Sequence, residues 1–338
     1  MLTVHLGLHK TGSTALQTVL GISLGHIRRR QRYLRWTDLF VTDGTINYRG
    51  AKRVAALSEN GWHVVVSSEG GLGSLRSMYD QAGQVTRELS ELFGPENLQI
   101  VVYVRPQHSW CESAYTQYVE EGGSDLGDTF AGALMARPHF QYTNLVNSIL
   151  DNTTGAVRIR PYVGQDVVED FFTVADLGEI PGHLVGVRAR SSRTKGGTAT
   201  LRALNEINSG QGSELMEVAL VQNPWVAQLD GSLFSGSIQE ELFGVFAEDW
   251  ENLQRLDRLA GQDAMAISDV LTSTRRPQVR EQVQVQAEEL SIPESALAVD
   301  AQSGDETVGR SLADVKNRML STVRHGSRLA LLRWMSRE

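Results

Sequence analysis

The residues best suited to chemistry lie close to the start of the chain, in Val4-His5-Leu6-Gly7-Leu8-His9-Lys10-Thr11-Gly12-Ser13-Thr14-Ala15-Leu16-Gln17. The order is a short apolar run, a loop bearing glycine and lysine, and the onset of a helical pattern. A loop of this kind turns its backbone N–H groups toward a bound anion, and the first turn of the following helix adds unpaired donors and the positive end of its dipole. Lys10 contributes a full charge, and Ser13 and Thr14 contribute hydroxyls. The segment therefore reads as a phosphate cradle built from Lys10, Thr11, Gly12, Ser13, Thr14 and Ala15. The competing reading is an empty turn in which Ser13 or Thr14 caps the helix. Lys10 weighs against it, because a cation among the donors of a helix N-terminus is disfavoured without an anion. The spacing departs from the Walker A pattern, in which lysine follows the second glycine; Lys10 comes two residues before Gly12.

Three further groups can join that chemistry. Arg105 ends the apolar run Val101-Val102-Tyr103-Val104, and Pro106 after it suits the first position of a helix in which Ser113 lies two turns on. Ligands of open parallel sheets collect at the carboxyl ends of strands, so Arg105 projects toward the same edge as the first loop. Alone, such an arginine is usually a surface salt-bridge partner; its pairing with the first loop favours an anion. Glu69 ends the run Val64-Val65-Val66-Ser67-Ser68. At a converging strand end it can take a proton from a hydroxyl as general base, or it can cap the turn Gly70-Gly71-Leu72-Gly73. His9 is the second candidate base, with a pKa suited to proton transfer; the alternative for it is a hydrogen-bonding scaffold. Cys111, in the helix after Pro106, reads as a packing residue.

The elements that must position these groups alternate short apolar runs with helical periodicity, the pattern of a parallel sheet covered on both faces. Expected strands are Thr3 to Leu6, His63 to Ser67, Leu98 to Val104 and Val157 to Arg160. Val85, Leu89 and Leu92 form one helical stripe, stopped by Gly94-Pro95. Further helices are expected from Asp166 to about Ala175, from Thr198 to Asn208, and around Glu240 to Leu259, with a largely helical remainder. The fold class is thus α/β, a P-loop-like parallel sheet flanked by helices. The Ser-Gly-rich turn at Ser209 to Ser213 suggests a boundary between a core of residues 1–210 and a helical C-terminal part of residues 211–338, packed on the core.

The loop His9-Lys10-Thr11-Gly12-Ser13-Thr14 resembles the 5′-phosphosulfate loop of sulfotransferases that use 3′-phosphoadenosine 5′-phosphosulfate (PAPS), and it is most similar to their bacterial branch. The resemblance covers roughly the first 200 residues, and the first loop is its one highly specific motif. It implies that Arg105 and Ser113, the latter in Ser113-Ala114-Tyr115-Thr116-Gln117, hold the 3′-phosphate. It implies a glutamate or histidine as base, which makes Glu69 the first choice and His9 the second. It also implies that the basic run Arg188-Ala189-Arg190-Ser191-Ser192-Arg193-Thr194-Lys195-Gly196-Gly197 closes over that phosphate through Arg193 and Lys195, although the run departs from the arginine-lysine-glycine form of the animal enzymes and basic loops are usually solvated surface. The activity implied is in-line transfer of the sulfuryl group from PAPS to a hydroxyl of a small-molecule or carbohydrate acceptor, leaving adenosine 3′,5′-bisphosphate (PAP). A sulfuryl group carries less negative charge than a phosphoryl group, so no metal is expected.

Composition fits this reading. The 338 residues are 41% apolar, enough for a sizeable core. The net charge of −8 argues against general nucleic-acid binding. A lone cysteine, no leader-like N-terminus and no apolar run of membrane-spanning length suggest a cytoplasmic protein. Val315 to Met335 reads as an amphipathic helix that docks on its own domain, on a second subunit in a homodimer, or on a membrane surface. Trp225, Phe234, Phe243, Phe246 and Trp250 are either acceptor contacts or core. The rival functions are a P-loop kinase using magnesium-ATP and a non-catalytic nucleotide-binding regulator.

Overall fold

The computed structural model describes residues 1–24, 30–42, 44–162, 167–186, 193–208, 210–259, 261–274 and 278–292. Along the chain these form β1 (Leu2–Leu6), α1 (Ser13–Ser23), β2 (Gln31–Arg35), β3 (Phe40–Thr42), β4 (Thr45–Ile46), α2 (Tyr48–Glu59), β5 (His63–Ser68), α3 (Ala82–Phe93), β6 (Leu98–Val104), α4 (Gln107–Glu120), α5 (Gly127–Met135), α6 (Tyr142–Asp151) and β7 (Ala156–Pro161). The helices α7 (Val167–Val174), α8 (Lys195–Ile207), α9 (Met216–Gln222), α10 (Gly236–Gln254) and α11 (Gly261–Ser273) follow. The α/β class expected from the alternating pattern is present: five parallel strands in the order β2-β5-β1-β6-β7, flanked by helices, with β3 and β4 as a separate hairpin.

Strand alternation assigns the two faces. Leu2, Val4 and Leu6 of β1, with Val64 and Val66 of β5 and Ile100, Val102 and Val104 of β6, enter the larger core beside α2, α3, α4, α6 and α10. Val65, Val101 and Tyr103 point the other way, against Leu16 and Leu20 of α1 and Phe171 of α7. Burial of each such aliphatic side chain contributes about 1.5–3 kcal/mol. The chain thus leaves β1 toward one face, through α1, while both neighbouring strands send their helices to the other. A sheet with that arrangement opens a crevice at the carboxyl ends of its central strands, where ligands bind.

The C-terminal helices pack into the same core and are fixed by two buried carboxylates. Asp249 of α10 accepts from Gln107 Nε2 at 2.6 Å and from the amides of Tyr142 and Thr143, so it caps α6 from a remote helix. Asp263 of α11 is fully buried and receives Arg158 Nη2 at 2.9 Å and Arg160 Nη1 at 3.3 Å, which fastens α11 over edge strand β7. Phe234, Phe246 and Trp250 are core residues, each 2% exposed or less. Cys111 is fully buried, and burial pushes its thiol far above the usual range, so it packs as expected.

The structure adds to the sequence reading and shifts several boundaries. The edge strand β2 is Gln-Arg-Tyr-Leu-Arg, without the apolar run that marks β5 and β6. Helix α10 ends at Gln254, short of Leu259, and α8 starts three residues before Thr198 because Thr194 accepts the amide of Gly197 and caps it there. Pro106 is the cap of α4 rather than its first residue. Arg188, Arg190, the Ser209 end of the expected boundary turn, the Asp166 end of the expected helix and the segment Val315 to Met335 lie outside the described residues. No helix among the described residues is long and apolar enough to cross a membrane.

Candidate functional site

Residues Gly7 to Gly12 connect β1 to α1 at the crevice, and the framework grips this loop by its carbonyls. Trp110 Nε1 donates to the His9 carbonyl at 2.8 Å, and Arg105 Nη1 donates to the Lys10 carbonyl at 3.2 Å. Thr11 Oγ1 donates to the Leu8 carbonyl, and the Leu16 amide to the Gly12 carbonyl. The His9 amide donates to the hydroxyl of buried Tyr79 at 2.9 Å, and the Gly7 amide to the Ser68 carbonyl at 2.8 Å. With those partners made, the backbone amides of Lys10, Thr11, Gly12, Ser13, Thr14 and Ala15 donate to nothing among the described residues.

Two local features produce this donor set. Lys10 and Gly12 both take left-handed backbone conformations, with φ of 64° and 82°. Gly12 meets this requirement without the penalty a side chain carries, and a Cβ there would press on Val167 and Tyr162. Gly12 is also the N-cap of α1, and no side chain caps the helix. The capped-turn reading of Ser13 and Thr14 is therefore not what the chain adopts. Ser13 Oγ is buried and has no hydrogen-bond partner among the described residues, and it fills the place that a Cβ at Gly7 would take. His5 Nε2, beneath the same glycine, is also buried without a partner, while His5 Nδ1 lies 2.8 Å from Ser67 Oγ.

Arg105 sits beside this loop, as strand register demands. Its Nε donates to Ser109 Oγ at 3.1 Å, and its guanidinium carbon lies 5.7 Å from the centre of the Tyr162 ring. It forms no ion pair with a carboxylate among the described residues; burial pulls its pKa down, opposed by Tyr162, Tyr142 and Glu112. A half-buried cation without a counter-charge is costly to fold around, so a site that retains one is suited to an arriving anion. Ser109 and Ser113 lie one turn apart on α4, on the face that leads away from Arg105, and the Ser113 hydroxyl is unbonded among the described residues.

Glu69 follows β5 directly. Since Leu6 pairs with Ser68, Glu69 stands next to Gly7 at the mouth of the loop, half-buried and with no hydrogen bond or ion pair among the described residues. His9 stacks on Tyr79, with ring centres 5.9 Å apart and its Nδ1 3.2 Å from the Tyr79 hydroxyl. Lys10, Thr11, Gly12, Ser13, Thr14, Ala15, Glu69, His9 and Arg105 thus gather at one sheet edge. Lys195 and Arg193 reach α4 instead of the loop: Lys195 Nζ pairs with Glu112, next to Ser113, and Arg193 Nε lies 3.6 Å from Glu120.

Tyr79, Trp110, Ser109 and Tyr162, which hold or border the loop, have no role in the sequence reading. Their signal is long-range, since Trp110 is 101 residues from the carbonyl it binds. A cleft of about 150 Å³ opens beside His9, walled by Ser74, Leu75 and Arg76 and by Gln117, Tyr118 and Glu121 of the α4 end. The aromatic residues Phe234, Phe246 and Trp250 of the C-terminal part do not line it. The chain matches no family model, no curated protein and no solved structure.

Proposed function

We propose that the chain binds PAPS across the β1–α1 loop and the start of α4, and transfers its sulfuryl group to a hydroxyl of an acceptor. The observation that carries this reading is the row of amides from Lys10 to Ala15, unspent among the described residues, beside a cation, Arg105, that has no carboxylate partner among them. The orphaned, buried Ser13 hydroxyl fits the same anion. The loop motif supplies the choice of a sulfuryl over a phosphoryl donor.

The bound nucleotide would bring the sulfuryl group and a phosphate leaving group. Lys10 and the loop amides hold the 5′ end and meet the charge that grows on the bridging oxygen; one well-placed donor of this kind contributes about 3–4 kcal/mol. Arg105 grips the 3′-phosphate in a two-pronged way, with Ser113 adding a hydrogen bond. Lys195, one position from Ser113 through its partner Glu112, and Arg193 extend the basic surface there. Glu69 accepts the proton of the acceptor hydroxyl on a free carboxylate oxygen, and His9 orients the loop through Tyr79.

Calorimetric titration of the full chain with adenosine 3′,5′-bisphosphate, and separately with ATP, each with and without magnesium, tests the reading. Metal-independent micromolar binding of the bisphosphate, weakened about a hundredfold in Arg105→Ala through loss of two charge-assisted hydrogen bonds, is expected. Binding of magnesium-ATP alone would overturn it in favour of a kinase.

A further inference from the structure

The cleft beside His9 begins where the anion loop ends. His9 is part of both, and Gln117, Tyr118 and Glu121 at the end of α4 form the wall that faces Ser74, Leu75 and Arg76. A ligand seated there touches the loop through His9.

The wall carries donors and acceptors in balance. Arg76 supplies a guanidinium, set 5.4 Å over the Tyr118 ring, and Gln117 Nε2 donates to Glu121 Oε1 at 2.8 Å, leaving the remaining amide and carboxylate oxygens to accept. Ser74 adds a hydroxyl, bonded to Ser77. The one cation and one anion cancel, so the wall selects for neither charge. Its apolar part, about half of the lining, is Leu75 and the flank of a Tyr118 ring whose faces are already shared with Arg76, Tyr115 and Phe130. A flat phenol or steroid needs apolar walls to replace the water it gives up, whereas a polyhydroxylated ligand needs paired donors and acceptors and an edge of ring to lie against.

We infer that this cleft is the acceptor site and that the acceptor is a neutral saccharide, bound by Arg76, Gln117 and Glu121. The inference rests on the sulfuryl-transfer reading for the word acceptor, but the binding itself is separable from it. Arg76 and Glu121 are exposed and outside the anion loop, so their substitution spares the fold.

Saturation-transfer NMR on the full chain, with adenosine 3′,5′-bisphosphate present or absent, against methyl glucoside, methyl galactoside, cellobiose and lactose, and against 2-naphthol, tests this. At least one saccharide should bind, naphthol should not, and Arg76→Ala and Glu121→Ala should each weaken the saccharide by about two- to tenfold, as expected for one lost hydrogen-bonding group, with bisphosphate affinity unchanged. Binding of naphthol alone, of no saccharide, or of saccharides indifferent to both variants would overturn the inference. Saccharide binding without bisphosphate binding would instead sink the nucleotide reading and leave the cleft assignment standing.

Discussion

Helices α1 and α6 begin in opposite ways. At the start of α6 the amides of Tyr142 and Thr143 are taken by Asp249, a buried carboxylate that arrives from α10. At the start of α1 six successive amides have no partner among the described residues, and the charged side chain that bonds the loop is Arg105 rather than a carboxylate. The arginines repeat the contrast. Arg158 and Arg160 are neutralised by Asp263 and Asp170, whereas Arg105 meets a carbonyl, a hydroxyl and the Tyr162 ring and no carboxylate among the described residues. One fold pairs the backbone donors and cations at these nodes with carboxylates and leaves a cationic, donor-rich gap at one crevice. The difference distinguishes a structural node from a binding site, since unsatisfied buried donors are otherwise rare.

The sharpest break in this comparison is removal of the structural carboxylate. Asp249→Ala strands the donors of Gln107, Tyr142 and Thr143 in a buried place and should cost about 3 kcal/mol or more, read as a lowered denaturant midpoint. A pair of arginine variants comes next. Arg158→Ala leaves Asp263 with a buried, partly compensated charge and should lose about 3 kcal/mol of stability, while Arg105→Ala should leave the thermal midpoint nearly unchanged and weaken bisphosphate binding about a hundredfold. Equal destabilisation by the two would mean that Arg105 is a structural residue like its counterpart.

The smallest effect concerns pH. Burial lowers the pKa of His5 to about 3 and that of His108 to about 4 from an ordinary 6.5, so both remain neutral in the folded chain while an unfolded histidine takes up a proton. The unfolded state then binds more protons below pH 6.5, and stability falls with falling pH toward those folded values. For His5 the slope is about 1.4 kcal/mol per pH unit. Denaturation of His5→Asn between pH 6.5 and 4 should show a shallower slope by about that amount; identical slopes would contradict the burial argument.

What could be read from the sequence follows the range of the interactions concerned. The β1–α1 loop is local: its glycines, Lys10 and the ends of the flanking strand and helix lie within fourteen residues, and the strand, loop and helix stand in the expected order. Strands with apolar runs, β1, β5, β6 and β7, were visible for the same reason. Strand β2 was not, because an edge strand can be as polar as Gln-Arg-Tyr-Leu-Arg when only Leu34 is buried. Asp249 and Asp263 read as ordinary charges of amphipathic helices, since their partners lie about 105 residues away. The cleft joins the Ser74 turn to the end of α4, a juxtaposition that periodicity does not encode. Lys195 and Arg193 were legible as basic, but the carboxylates of α4 that hold them were not.

Hydrogen exchange of the full chain, read by mass spectrometry on peptides that separate residues 10–15 from residues 142–143, tests the central contrast most directly. The account predicts that the amides of Lys10 to Ala15 exchange fast in the free protein and become protected by adenosine 3′,5′-bisphosphate, while those of Tyr142 and Thr143 are slow in both states. Loop amides that are already protected in the free protein, or that the bisphosphate leaves unchanged, would contradict it.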